Sequence, residues 1–460
     1  VNLRVLRIEL RRSAAPWAGL VVAAVGLGFL YAVPGAWWGS SVQWTSQWTS
    51  LALWTRVLFF YLWPLVAGIG ALYGLRDRRS RMPELLASAP RPAWRRAAAP
   101  AGAAALALTA GFGLLVLWGA VQVASGPATY APLGWLPISA VGLLALLAAL
   151  LFGMGTGRAL PSPLTPPAVV VVFLAATVLL AQNNERELPT STTVPHLLSQ
   201  LSPAVAEPRQ VLLTLTGAVH LGQAFWFLGL AATGFVLLTA VRARQRLTAL
   251  VPAVAGLALA LLVLPGTPRG SYRIDPAAAS PVCEGAVCVT AMHRDRLAGL
   301  APDGARALKA LRSKLGDRAP RRVREETAPR ALGADRVLDP ATVLVNFEDP
   351  QFGSARGDQL LRRLIGEGLA PSCSANTAWE GASDGSLLVQ SVLASWVLGE
   401  YRLIGTDSYD PAEYRDSTRR AWDRFAALEP AEQLRRAVTV RTAALRCDLG
   451  PADKLVGEPR

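Results

Sequence analysis

RDRRSRMPELLASAPRPAWRR, residues 76–96, carries the strongest topological signal in the chain. It sets seven arginines against Asp77 and Glu84, and it separates two apolar runs that are each long enough to cross a bilayer. Arg and Lys in short loops beside membrane spans resist translocation during insertion, so this loop is expected in the cytoplasm. Within it, Pro83-Glu84-Leu85-Leu86-Ala87-Ser88 has helix-forming composition, opens with Pro in the first turn and stops before Pro90 and Pro92. It reads as a short helix at the membrane face; the plain alternative is a solvated arginine loop.

Outward from this loop the composition divides the chain. Of 460 residues 52% are hydrophobic and the mean hydropathy is +0.33, too apolar for an ordinary soluble protein. Residues 1–265 hold 18 Arg, no Lys and 6 acidic residues, whereas residues 266–460 hold 28 Lys plus Arg and 26 acidic, so the net charge of +14 splits as +12 and +2. A membrane half (15–265) followed by a small, near-neutral α/β or α+β domain (266–460) is the expected architecture. The basic charge tracks loops between spans, which argues against nucleic acid as a partner.

Residues 1–14 intersperse Leu3, Leu6, Ile8 and Leu10 with Arg4, Arg7, Arg11 and Arg12 and predict an amphipathic interfacial helix. No small-residue cleavage site follows, so this start reads as a retained anchor. About seven transmembrane helices are expected, near 15–33, 51–75, 98–124, 133–157, 168–181, 211–241 and 247–264. The fifth is short, and the sixth exceeds one crossing and is expected to tilt, kink or emerge. Trp37, Trp38, Trp44 and Trp48 in an uncharged loop suggest an outer interfacial belt, and Arg56, one turn inside the second span, is expected to snorkel outward, a functional role as a lone intramembrane charge being the lesser alternative. An outer loop, 183–210, contains a short apolar run, His196 to Leu201, that fits an interfacial helix. With the N-terminus inside, 15 of the first 18 arginines fall on the cytoplasmic side, and the C-terminal domain falls outside the cell membrane.

All four cysteines, Cys283, Cys288, Cys373 and Cys447, lie in the C-terminal domain, an even set that suggests disulfides and an oxidising compartment. Of three connectivities we favour Cys283 with Cys288 and Cys373 with Cys447; four incidental thiols are the alternative. That domain is expected to hold a hairpin or strand at 282–291, a strand within 337–347, helices at 297–315 and 359–368, an amphipathic helix at 386–403 and a helical pair at 411–428 and 430–449.

Catalytic chemistry is sparse. No P-loop occurs, and His196, His220 and His293 offer no metalloprotease pair, so no metal or cofactor is expected in this chain. Gly381-Ala382-Ser383-Asp384-Gly385 fits GxSxG, but no apolar strand precedes it and no histidine follows; Ser383 or Asp384 reads instead as a helix cap. His220 and Gln223, at helical spacing inside the sixth span, are candidates for a pathway or for an interhelical hydrogen bond. His293, within MHRDR, reads as a solvated surface residue.

The order of parts resembles the permease subunits of type-two ATP-binding-cassette exporters: amphipathic start, two spans, basic loop with a short helix, three spans, outer helical loop and a sixth span. ELLASAPRP in particular resembles the equivalent stretch of actinobacterial permeases. The resemblance covers roughly residues 1–245; the seventh span and the C-terminal domain depart from it. It implies that Met82, Pro83, Glu84, Leu85, Leu86, Ala87 and Ser88 form the coupling helix that docks on a separate P-loop ATPase subunit, which would carry ATP and Mg, and that 187–204 is a re-entrant hairpin. It also implies a second permease half, as homodimer or heterodimer, amphipathic or hydrophobic cargo, and no enzymatic activity of the chain's own. The other class considered is a membrane-anchored extracytoplasmic module for binding, sensing or assembly.

Overall fold

The computed structural model describes residues 8, 10, 15–35, 37, 38, 43–76, 92–126, 128, 130–180, 183, 184, 191, 192, 196–204, 211–240, 242–328, 336–373, 384–405, 411–448 and 455. The expected coupling helix, Met82 to Ser88, and most of residues 1–14 lie outside the described residues.

In chain order the membrane half comprises Ala15–Ala32 (α1), Trp48–Val57 (α2), Phe59–Gly74 (α3), Ala93–Ser125 (α4), Trp135–Ala159 (α5), Thr165–Leu180 (α6), the single turn His196–Ser199 (α7), strand Leu213–Leu215 (β1), Gly217–Thr239 (α8), Ala243–Thr248 (α9) and Val251–Val263 (α10). Helices dominate because in an apolar medium a helix satisfies its backbone within one segment. Among the described residues four helices are long and apolar enough to cross a membrane: α4, α5, α8 and the rod Ala243–Val263 formed by α9 and α10. α2 and α3 pass the same test together as one element bent by 54°, and α1 and α6 are shorter apolar helices. These elements account for all seven apolar runs in the sequence. The surplus length of the sixth run is β1, which leaves the bundle before α8 begins.

Large apolar side chains such as Leu114, Leu117, Val171, Val172, Leu228, Val254 and Leu262 are exposed on the helix surfaces, as expected for contact with lipid. Where helices meet, small residues bring backbones together. A Cβ on Gly153 or Gly157 of α5 would lie 2.1 or 2.2 Å from the carbonyl oxygens of Ala67 and Ala71 on α3, so only glycine fits there. The tryptophans expected as a belt divide: Trp38 is exposed, but Trp37 and Trp44 are buried among Phe29, Tyr31 and Trp54. They pack against side chains of α1 and α2 at the end of the bundle.

The C-terminal domain begins with Tyr272–Ile274 (β2), which pairs antiparallel with β1. It continues through Pro281–Glu284 (β3), Val287–Thr290 (β4), Arg294–Leu315 (α11), Arg322–Glu325 (β5), Thr342–Val345 (β6), Pro350–Ser354 (α12), Gly357–Leu369 (α13), Asp384–Leu398 (α14), Pro411–Ala426 (α15) and Pro430–Ala444 (α16). The sheet runs β3-β4-β5-β6, with β3–β4 an antiparallel hairpin and β4, β5 and β6 parallel. Alternation along RVRE puts Val323 and Glu325 under the helices and leaves Arg322 and Arg324 exposed, so one sheet face is covered and one is open. α14 is shorter than expected and is not amphipathic: Leu387, Val389, Val392, Leu393 and Ala394 are buried together with Gln390, Ser391 and Ser395. It is the central helix of the domain, packed between α13 and α15, and it stops at Gly399, whose φ of 77° suits glycine.

The domain sits on the end of the bundle formed by the start of α5, α7, β1 and the end of α10. Tyr130 Oη donates to Asp275 Oδ2 at 2.9 Å, and the Val211 N–H donates to Glu348 Oε1. Arg158, Arg242, Arg244 and Arg246 cluster at the opposite end, where Arg246 Nη1 donates to the Ala159 carbonyl at 3.0 Å.

Candidate functional site

Arg56 occupies the last turn of α2 and is fully buried. An ionised group inside an apolar bundle is costly unless its donors are met. Here Nε donates to the Pro203 carbonyl (2.7 Å), Nη2 to Gln223 Oε1 (2.9 Å) and Nη1 to the Ile138 carbonyl (3.3 Å). The guanidinium carbon stands 5.8 Å from the centre of the Phe59 ring, whose face carries partial negative charge. Room for the side chain comes from Gly142, where a Cβ would lie 2.9 Å from Arg56 Cδ. The outward snorkelling expected of Arg56 is therefore corrected. The side chain turns inward because the 196–204 segment brings neutral oxygens to it.

That segment is held carbonyl by carbonyl. Gln223 Nε2 donates to the carbonyls of Gln200 (2.8 Å) and Ser202 (3.2 Å), Trp226 Nε1 to Leu201 (3.1 Å), and Arg56 to Pro203. Four consecutive peptide oxygens are thus taken by three side chains of α2 and α8. Irregular backbone is tolerated beside lipid-facing helices when its polar groups are met by protein in this way. On its other side, Gln200 Nε2 donates to the Pro265 carbonyl (2.7 Å), Ser271 Oγ donates to Gln200 Oε1 (3.1 Å), and His196 Nε2 and Ser271 Oγ are 2.7 Å apart. The knot therefore connects two membrane helices to the first residues of the C-terminal domain.

Of the two residues singled out on the sixth span, Gln223 is the interhelical hydrogen-bonder at the centre of the knot. His220 stands one turn before it, half-buried, outside the knot, and its Nδ1 has no hydrogen-bond partner among the described residues. Arg56 and Gln223 are 167 residues apart, and their meeting is not visible in local pattern.

The C-terminal domain holds both disulfides, Cys283–Cys288 across the β3–β4 hairpin and Cys373–Cys447 between the end of α13 and the end of α16. His293 corrects the expectation of a solvated residue: it is 4% exposed, and its Nδ1 lies 2.6 Å from Glu325 Oε1. Burial would lower its pKa, but the charge and hydrogen bond of Glu325, with Glu348 and Asp295 beyond, raise it above the ordinary value. Glu325 Oε2 meanwhile accepts from the Thr290 N–H, so it bridges two parallel strands. Glu348 is pushed up to about 8 by burial, against the pull of the Val211 N–H and His293 and with added push from Glu325 and Glu326. A further buried set, Arg336 with Glu326 (3.1 Å) and Glu367 (3.6 Å), secures the connection after β5. No local pattern marked these pairings, because the partners come from segments far apart in sequence.

Ser383 lies outside the described residues, and α14 starts at Asp384. Among the described residues no group of three or more His, Cys, Asp or Glu is arranged to hold a metal. The chemistry of the knot is mechanical: a displacement of 196–204 must break hydrogen bonds to α2 and α8 together. Comparison with protein families, with curated proteins and with solved structures finds no match to this chain.

Proposed function

We propose that the chain is the membrane-spanning permease subunit of an ATP-driven exporter, with seven crossings, the arginine end in the cytoplasm and the disulfide-bonded domain outside the cell membrane. The observation that carries the reading is the 196–204 segment docked by its carbonyls on Arg56 and Gln223. It supplies an outer segment coupled to the same bent element, α2–α3, that leads into the arginine loop at 76–96. A push on Met82 to Ser88 would then reach Arg56 along α3 and through the bend into α2. Fuel comes from a partner P-loop ATPase holding ATP and Mg, and a second permease half, identical or related, completes the translocation unit. Nucleotide can shift such an assembly only as far as its differential contacts with two states allow, and the loop after α3 is where those contacts fall in this proposal.

The test is affinity purification of tagged protein from its native membrane in mild detergent, followed by mass spectrometry and an ATPase assay. A stoichiometric P-loop ATPase that is lost in Glu84→Ala/Leu85→Ala is the expected result. Recovery of the chain alone, or only with extracytoplasmic proteins, would instead favour a membrane-anchored binding or assembly module.

A further inference from the structure

A cavity of about 320 Å³ opens in the C-terminal domain between the first turns of α11 and the segment from Phe347 to Leu360. This is the small end of the range for ligand pockets, roughly 300–1,000 Å³. Leu300, Phe347, Phe352 and Leu360 give it an apolar wall, and Asp295, Arg296 and Arg356 also line it. One oxygen aims both arginines: Arg296 Nη1 (3.2 Å) and Arg356 Nη1 (2.9 Å) donate to the same Gly353 carbonyl, and Arg356 Nη1 also reaches the Ala355 carbonyl at 2.7 Å. Gly353 is fixed in turn. Its N–H donates to the Asp349 carbonyl at 2.7 Å, and a Cβ there would lie 2.6 Å from the Phe347 carbonyl oxygen.

Two guanidinium groups are therefore held side by side, and Asp295 Oδ2 is 3.6 Å from Arg296 Nε. Partial burial, and then the charge of Arg296, keep the Arg356 pKa below its ordinary value, with Asp295 opposing. The backbone adds positive potential. Asp295 and Arg296 lie in the first turn of the 22-residue α11, and Arg356 is the N-cap of the 13-residue α13, so two helix N-termini border the cavity. Both lining segments follow the carboxyl ends of parallel strands, β4 and β6, the edge of an α/β sheet at which ligands are generally received.

We propose that this cavity binds a small organic anion, its carboxylate paired with Arg296 and Arg356 and its apolar body laid against Phe347 and Phe352. The assignment does not depend on the transport reading. It is tested on the full chain in phosphatidylcholine nanodiscs by calorimetric titration with octanoate, with octylammonium and inorganic phosphate as contrasting probes and empty nanodiscs subtracted. The expected result is saturable one-to-one binding of octanoate, none of octylammonium and weaker binding of phosphate. Arg296→Gln/Arg356→Gln should weaken octanoate about tenfold or more, the worth of one hydrogen bond to a charged group, with an unchanged melting midpoint. Ala355→Trp, which fills the half-buried rim and keeps both arginines, should abolish binding and serves if the double variant folds poorly. Absence of saturable heat, an affinity untouched by both variants, or phosphate binding as tight as octanoate would overturn the assignment.

Discussion

Arg56 concentrates the account at the scale of one residue. Replacing it with Met keeps volume but leaves the Pro203 carbonyl and Gln223 Oε1 without this donor, each a desolvated acceptor, and takes a second donor from the Ile138 carbonyl, which keeps its place in the helix ladder. The expected cost is roughly 2–4 kcal/mol, read as a lower melting midpoint in detergent. A sharper readout is local. Ser202 is 2% exposed, so Ser202→Cys should resist maleimide in the parent and react once Arg56→Met frees the segment. His293 and Glu348 set a pH dependence in the C-terminal domain. Both groups are raised in the folded state, so between the unfolded and folded values the native domain holds more protons and its stability falls as pH rises. For Glu348 that window runs from its ordinary 4.5 to about 8, so the domain should melt several degrees higher at pH 5 than at pH 8. Glu348→Gln should flatten most of this slope; an unchanged slope would mean that the carboxyl is ionised throughout.

At the scale of elements, helix contacts and disulfides give graded tests. Gly157→Ala drives a methyl to 2.2 Å from the Ala71 carbonyl oxygen and should cost roughly 1–3 kcal/mol through separation of α3 and α5. Gly113→Ala, where a Cβ meets nothing within 4 Å, should be neutral or gain about 0.5–1 kcal/mol of helix propensity. Equal effects would show that the α3–α5 contact is not close-packed. Removing Cys373–Cys447, which closes 74 residues, should cost about 4 kcal/mol by loop entropy, against about 2 kcal/mol for Cys283–Cys288, which closes 5. Denaturant melts of the paired Cys→Ser variants measure both. The apolar runs were legible as elements because uniform hydropathy over some 20 residues has few other uses. The hairpin at 281–290 was legible from its valines and paired cysteines. β1, β2 and β5 were not, since strands of three or four residues carry little periodic signal and form only against distant partners. Arg56 was legible as a lone charge, but its direction was not, because Pro203 and Gln223 reach it through tertiary packing.

For the whole molecule the organising fact is polarity along the bundle axis. Arg158, Arg242, Arg244 and Arg246 gather at one end, and the C-terminal domain, tied by β1–β2 and by Tyr130 with Asp275, covers the other. The transport reading requires that these ends face opposite sides of the membrane, with a motor reaching one and an oxidising compartment the other. The direct measurement is labelling of single added cysteines with a membrane-impermeant maleimide on intact cells, because the four native cysteines are paired. Val337→Cys, at a position 90% exposed in the C-terminal domain, should react on intact cells, whereas Arg244→Cys should react only after permeabilisation. Labelling of both from outside, or of Arg244→Cys alone, would contradict it.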